Sequence, residues 1–223
     1  MIKNMGLSTI TICGLLTGCL SSSILIANEF KRQTTLAVLS KPITRMHFIL
    51  GKYLGIILAA TVLIFSQGLV LEIALVINKY LKISSFEHHA SNLNILSLID
   101  YYCILGIYFS LLQILILTAI SVFLSLYLDV TGNLIVCFLV FVFCHSLNYI
   151  FPFHPQLTNF TSILLAGCYI IFPNLHNLNL VIMSDSVVGS TTKYIVYITL
   201  YTATYSISIL WLTVFFFKRK EIV

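Results

Sequence analysis

Charge is what this chain lacks. Only 9% of its 223 residues are charged, where a soluble domain carries about a quarter. A surface that poor in charge is not wetted by water, which excludes a soluble globular protein. Acidic residues number seven, and Glu72 alone among them falls inside an apolar run. Proline is scarce: the four prolines stand at positions 42, 152, 155 and 173, at the ends of the apolar runs or between them. Catalytic signatures are missing as well. There is no HExxH, no GxSxG and no Walker-type glycine loop, so the residues for intramembrane proteolysis or for ATP hydrolysis in this chain are absent. Cys13, Cys19, Cys103, Cys137, Cys144 and Cys168 form no CxxC pair; they read as small buried apolar side chains rather than as zinc or redox ligands. His145, His154 and His176 have no carboxylate near them in sequence and make a poor metal set. A nucleic-acid footprint needs a soluble basic face, and there is none.

Long uncharged runs take the place of what is missing. Residues 4–28, 53–71, 101–128, 130–184 and 194–217 contain no Asp, Glu, Lys or Arg. A helix crosses a bilayer in about 20 apolar residues. The runs predict an all-α, polytopic membrane bundle of about five transmembrane helices in a single transmembrane domain over 1–223. The expected spans are 5–27, 53–77, 101–128, 134–151 and 194–217. Between them come a basic loop at 28–52, a polar loop at 78–100, a tight turn at 129–133 and an outer region at 152–193. Leu16-Thr17-Gly18-Cys19 has the look of a bacterial lipobox, but cleavage there would expose an apolar stretch, so residues 5–27 are read as a retained helix.

Net charge is +5, and its position says more than its size. The basic residues cluster at 31–52 and 218–220, which should put both clusters in the cytoplasm. An even number of crossings must then separate residue 52 from residue 218. The apolar stretch 160–172, short and bracketed by Pro155 and Pro173, is therefore read as re-entrant or interfacial. The expected location is the inner (cytoplasmic) membrane of a cell, multi-pass, with lipid as a partner.

Several residues inside the spans invite a functional reading. Glu72 shares a helical face with Thr61 and Gly68; a pathway-lining or proton-carrying carboxylate and an interfacial charge are both consistent with it. Gly106, Ser110, Gln113, Ser121 and Ser125 make a polar stripe that faces protein or water rather than lipid. Either helix packing or a substrate path accounts for it, with Ser110, Gln113 and Ser121 as the path residues beside Glu72. Gly14, Gly18 and Ser22 are spaced for close approach of another helix. Tyr194, Tyr197, Tyr201, Tyr205 and Ser208 form a further stripe, its outer end an aromatic belt.

The loop carries the most specific pattern: Glu29, Lys31-Arg32, Thr35-Leu36, Leu39-Ser40-Lys41-Pro42, Arg45 and Leu50-Gly51-Lys52. It resembles the cytoplasmic segment of type 2 ABC-transporter permeases, the membrane subunits of ATP-driven exporters. Phe172-Pro173-Asn174-Leu175, followed by Asn177-Leu178, is similar to that family's outer segment before its last helix. The resemblance implies a non-enzymatic subunit that exports a substrate by alternating access. ATP and Mg would be held by a separate ABC ATPase, with no cofactor in this chain. A second copy or a homologous permease would complete a dimer. Glu29, Lys31, Arg32, Thr35, Leu36, Lys41, Pro42, Arg45, Gly51 and Lys52 would couple to the ATPase. Relatives in that family have six spans, so a first span is expected to be missing here. Two other readings stand beside this one: a non-catalytic assembly or scaffold subunit, and a proton-coupled secondary transporter using Glu72.

Overall fold

The computed structural model describes residues 2–27, 45–86, 100–150, 172–175, 178 and 191–219. Helix α1 spans Ile2–Ser22 and continues through a π-helical turn, Ser23–Ala27. α2 is Arg45–Phe86, α3 Tyr101–Leu124, α4 Val130–Ile150 and α5 Thr191–Arg219. All five are long and apolar enough to cross a membrane, and no strand occurs among the described residues. The chain is a multi-pass membrane protein of all-α architecture.

Neighbouring helices alternate in direction. Gly6 of α1 meets Leu71 of α2 and Gly14 meets Ile64, while Lys52 Nζ donates to Leu25 O at 2.7 Å; α1 and α2 are antiparallel. Gly68 of α2 packs on Ile107 of α3, and Tyr53 Oη donates to Leu115 O at 3.1 Å. A short turn then reverses the chain into α4. α5 runs with α3, Tyr194 lying edge-on to Phe109 and Phe216 edge-on to Phe123. Ala27, Arg45, the α3–α4 turn and Arg219 therefore share one end, called here the loop end. Ile2, Phe86, Asp100, Ile150 and Thr191 share the other, the far end. Ile150 and Thr191, which bound the stretch 151–190, both lie at the far end.

Burial shows which helix is central. Of the most apolar stretch of α3, 67% is buried inside the bundle, against 22% in α2 and in α4. α3 touches all four other helices. Its apolar side chains Phe109, Leu112, Ile116 and Leu117 join Leu15, Cys19, Cys137, Cys144 and Ile198 in the main core. The outer faces of α2 and α5 carry Leu54, Leu58, Leu69, Ile207 and Trp211 in the open, as lipid-facing helices do, because hydrocarbon solvates them as well as a core would. Gly14 and Gly18 pack against Ile114 and Thr118 of α3, where an added Cβ would collide with those side chains. The small residues are thus spent on an internal neighbour.

Several expected boundaries shift. α2 is 42 residues long, about 63 Å at 1.5 Å per residue, so it exceeds the hydrocarbon thickness of about 30 Å. It takes in the end of the expected basic loop, from Arg45, and the start of the expected polar loop, through Phe86. Polar residues such as His47, Lys52, Lys79 and Lys82 lie on those extensions and continue the helix without an apolar signal. The expected turn at 129–133 also moves: the chain turns at Ser125–Asp129, and α4 is under way from Val130. Ser125 N donates to Ser121 O and Asn133 N to Asp129 O, at 2.9 and 2.8 Å, which closes one helix and opens the next.

Candidate functional site

The structure distributes the four expected path residues over three places. Ser110 and Gln113 line a cleft of about 290 Å³ in the far half of the bundle, between α1, α3 and α4. Glu72 lines a separate groove between α2 and α3. Ser121 lies in neither; it is buried near the loop end among polar side chains of three helices.

The cleft owes its character to helical spacing. Asn4, Ser8 and Thr11 on α1 face Gly106, Ser110 and Gln113 on α3, and His145 of α4 stands over Phe141 at 6.0 Å between ring centroids. No Lys, Arg, Asp or Glu among the described residues lines it. The hydroxyls spend their protons on their own helices: Ser8 on Asn4 O at 2.9 Å, Thr11 on Ser8 O at 2.8 Å, Ser110 on Gly106 O at 2.9 Å. Their lone pairs remain for the cleft. Gln113 Nε2 donates to Leu175 O and Leu178 O, at 3.4 and 3.3 Å. Gln113 stands twelve residues past Tyr101, about 18 Å along the axis. Leu175 and Leu178, both buried, are therefore held deep within the bundle, and Leu178 lines the cleft. Asn174 N donates to Tyr201 Oη at 3.3 Å, a second tie at similar depth. A non-helical backbone at such depth is tolerated where protein satisfies its carbonyls, and Gln113 does that here.

Near the loop end the polar groups close on each other. Asn133 Nδ2 donates to Ser23 Oγ at 2.6 Å, to Ser121 Oγ at 3.0 Å and to Ser121 O at 3.2 Å. Ser22 and Ser121 share a hydroxyl hydrogen bond. Cys137 Sγ donates to Asn133 Oδ1 at 3.3 Å. Asn133, Ser22, Ser23, Ser121 and Cys137 are all fully buried. The cluster joins α1, α3 and α4. Sequence reasoning assigned Asn133 to a turn and missed it; Asn133 and Cys137 one helical turn apart, opposite the serines of α1, were the available signal. Ser125 turns inward too, its hydroxyl on Val122 O at 2.8 Å.

The remaining expectations divide. Glu29, Lys31, Arg32, Thr35, Leu36, Lys41 and Pro42 lie outside the described residues, as do His154, His176, Cys168 and the stretch 160–171. Arg45 opens α2. Gly51 is exposed with open space around its α-carbon. Lys52 ties the start of α2 to the end of α1 through Leu25 O and lies 5.1 Å from the centroid of the Phe48 ring. The tyrosine stripe splits: Tyr194 is half-buried, edge-on to Phe109, Tyr201 stays exposed although its hydroxyl accepts from Asn174 N, and Tyr197 is 72% exposed. No group of three metal-ligating side chains occurs among the described residues. The chain matches no protein-family model, and no curated protein or solved structure is found to be similar to it.

Proposed function

We propose that this chain is the permease subunit of an ATP-driven exporter of the type 2 ABC class. It would pair with a second copy or a homologous permease and be driven by a separate ABC ATPase. The observation that carries the reading is the loop pattern from Glu29 to Lys52, taken with what bounds it. The segment 28–44 leaves α1 at Ala27 and enters a continuous helix at Arg45, and Lys52 bolts its two ends together through Leu25 O. A load applied to such a segment reaches α2 directly, and α2 runs unbroken to the far half, where the cleft and the groove lie. Arg45, Lys52, Lys218 and Arg219 belong to the loop end, which on the positive-inside rule would face the cytoplasm, the side on which ATP is available. The polar cleft, with Ser110 and Gln113 on its wall, would be the substrate path. Alternating access then consists of rocking α2 and its neighbours about the closed loop-end cluster, and this chain does no covalent chemistry.

The test is charge reversal of the loop. Lys41→Glu with Arg45→Glu should abolish export and transport-stimulated ATP hydrolysis while membrane insertion stays normal. Export that persists with ordinary ATPase stimulation would refute the coupling assignment.

A further inference from the structure

On the face of α3 opposite the cleft, α2 and α3 enclose a groove of about 570 Å³ in the far half of the bundle. Gly68 begins it, since its missing side chain lets Ile107 of α3 approach. Leu69, Ile73, Ile104 and Ile107 supply hydrocarbon walls, and no basic residue among the described residues lines it. Among the described residues, Glu72 is the one acidic or basic side chain that lines it. Both its carboxylate oxygens are closed off from water and accept no hydrogen bond from any described residue. The Cys103 thiol stands beside the carboxylate, and a thiol is a weak donor. Lys3, the cation at this end of α1, is already paired with Asp100 at 3.4 Å. A carboxylate left with no donor stronger than that thiol in so apolar a place is costly, and a carboxylate in a membrane segment marks a functional site by default.

We infer that this groove binds a membrane-borne amphiphile with a protonated amine head, its chain along Leu69, Ile73 and Ile107 and its ammonium on Glu72. Charge complementarity selects the head. An ionised carboxylate only accepts hydrogen bonds, and a charged donor gives the strongest ones; an anionic head would meet Glu72 with no cation in the walls. The surroundings select the tail. Leu69 and Ile73 are 64% and 58% exposed on a span, so the groove is reached from the lipid side. The inference does not depend on the exporter reading, because the groove and the cleft share no lining residue.

Binding of radiolabelled dodecylamine to the purified chain in phosphatidylcholine nanodiscs tests it, with dodecanol as the neutral match. Wild type should bind dodecylamine saturably and at least about tenfold more tightly than dodecanol. Glu72→Gln should lose about that factor for the amine and keep its affinity for dodecanol, which also reports that the variant is folded. Leu69→Trp, which fills the groove and leaves the carboxylate in place, should weaken both ligands. Ser110→Ala, in the cleft, should change neither. Equal dodecylamine affinity in wild type and Glu72→Gln, or equal affinity of the wild type for the two ligands, would overturn the assignment. So would Ile73→Cys forming disulfide-linked dimers that wild type does not form, since a second copy would then cover the groove.

Discussion

In the half of the bundle nearer the loop, Asn133 draws Ser22, Ser23, Ser121 and Cys137 into one hydrogen-bonded cluster. In the half nearer Asp100, the buried Oε1 of Gln67 and both oxygens of Glu72 accept no hydrogen bond from described residues, and a cleft and a groove open beside α3. The same helices build both halves, so the difference lies in side-chain placement. In hydrocarbon a polar group that finds no partner has no water to fall back on. The loop-end half meets that demand internally, through the Asn133 cluster. The far half leaves it open, which is what a surface that meets ligands or changes shape requires.

The contrast can be broken most severely at its centre. Asn133→Leu removes the hub and takes from Ser23, Ser121 and Cys137 the hydrogen bonds they make with its amide; the expected loss is on the order of 3 kcal/mol, read as a lowered midpoint of unfolding in mixed micelles. Gly18→Leu comes next. A side chain there must displace Thr118 of α3, and overpacking of this kind costs about 1–3 kcal/mol. Size-exclusion profile and melting temperature should both report it. The smallest change sharpens the comparison by reversing sign: Glu72→Leu, in the far half, removes an unpartnered carboxylate and should raise the stability of the unliganded protein by about 1 kcal/mol. A loss of stability at Glu72 comparable to that at Asn133 would mean that the two halves do not differ in this way.

The helices were legible in the sequence because hydrocarbon demands long uncharged runs, and such runs leave few alternatives. The ends of α2 were not, because a helix that emerges from the apolar layer carries residues such as His47, Lys52 and Lys79 and looks like a loop. The polar stripe of α3 was seen, but as one surface. Its upper members, Gly106, Ser110 and Gln113, belong to the cleft, whereas Ser121 and Ser125 turn into the protein. Periodicity along one helix cannot distinguish these cases, since the partner that satisfies Ser121 comes from α4, twelve residues on and across a turn. Asn133 was hidden for a related reason: Asp, Gly and Asn in close succession signal a turn, and only the packing of α4 on α1 reveals the side chain as buried. The insertion of Leu175 and Leu178 to the depth of Gln113 has no local signal at all, because it depends on a hydrogen bond between residues 62 and 65 positions apart.

The division between a closed loop-end half and an open far half is tested most directly on α3 itself, with Ser110→Cys and Ser121→Cys made separately and exposed to a membrane-impermeant thiol reagent. Labelling is read by mass spectrometry at the engineered position, so that the native cysteines do not interfere. The account predicts that Ser110→Cys, on the wall of the cleft, is modified, and that Ser121→Cys, inside the Asn133 cluster, stays unmodified over the same period. Equal labelling at the two positions, or labelling at 121 alone, would contradict it.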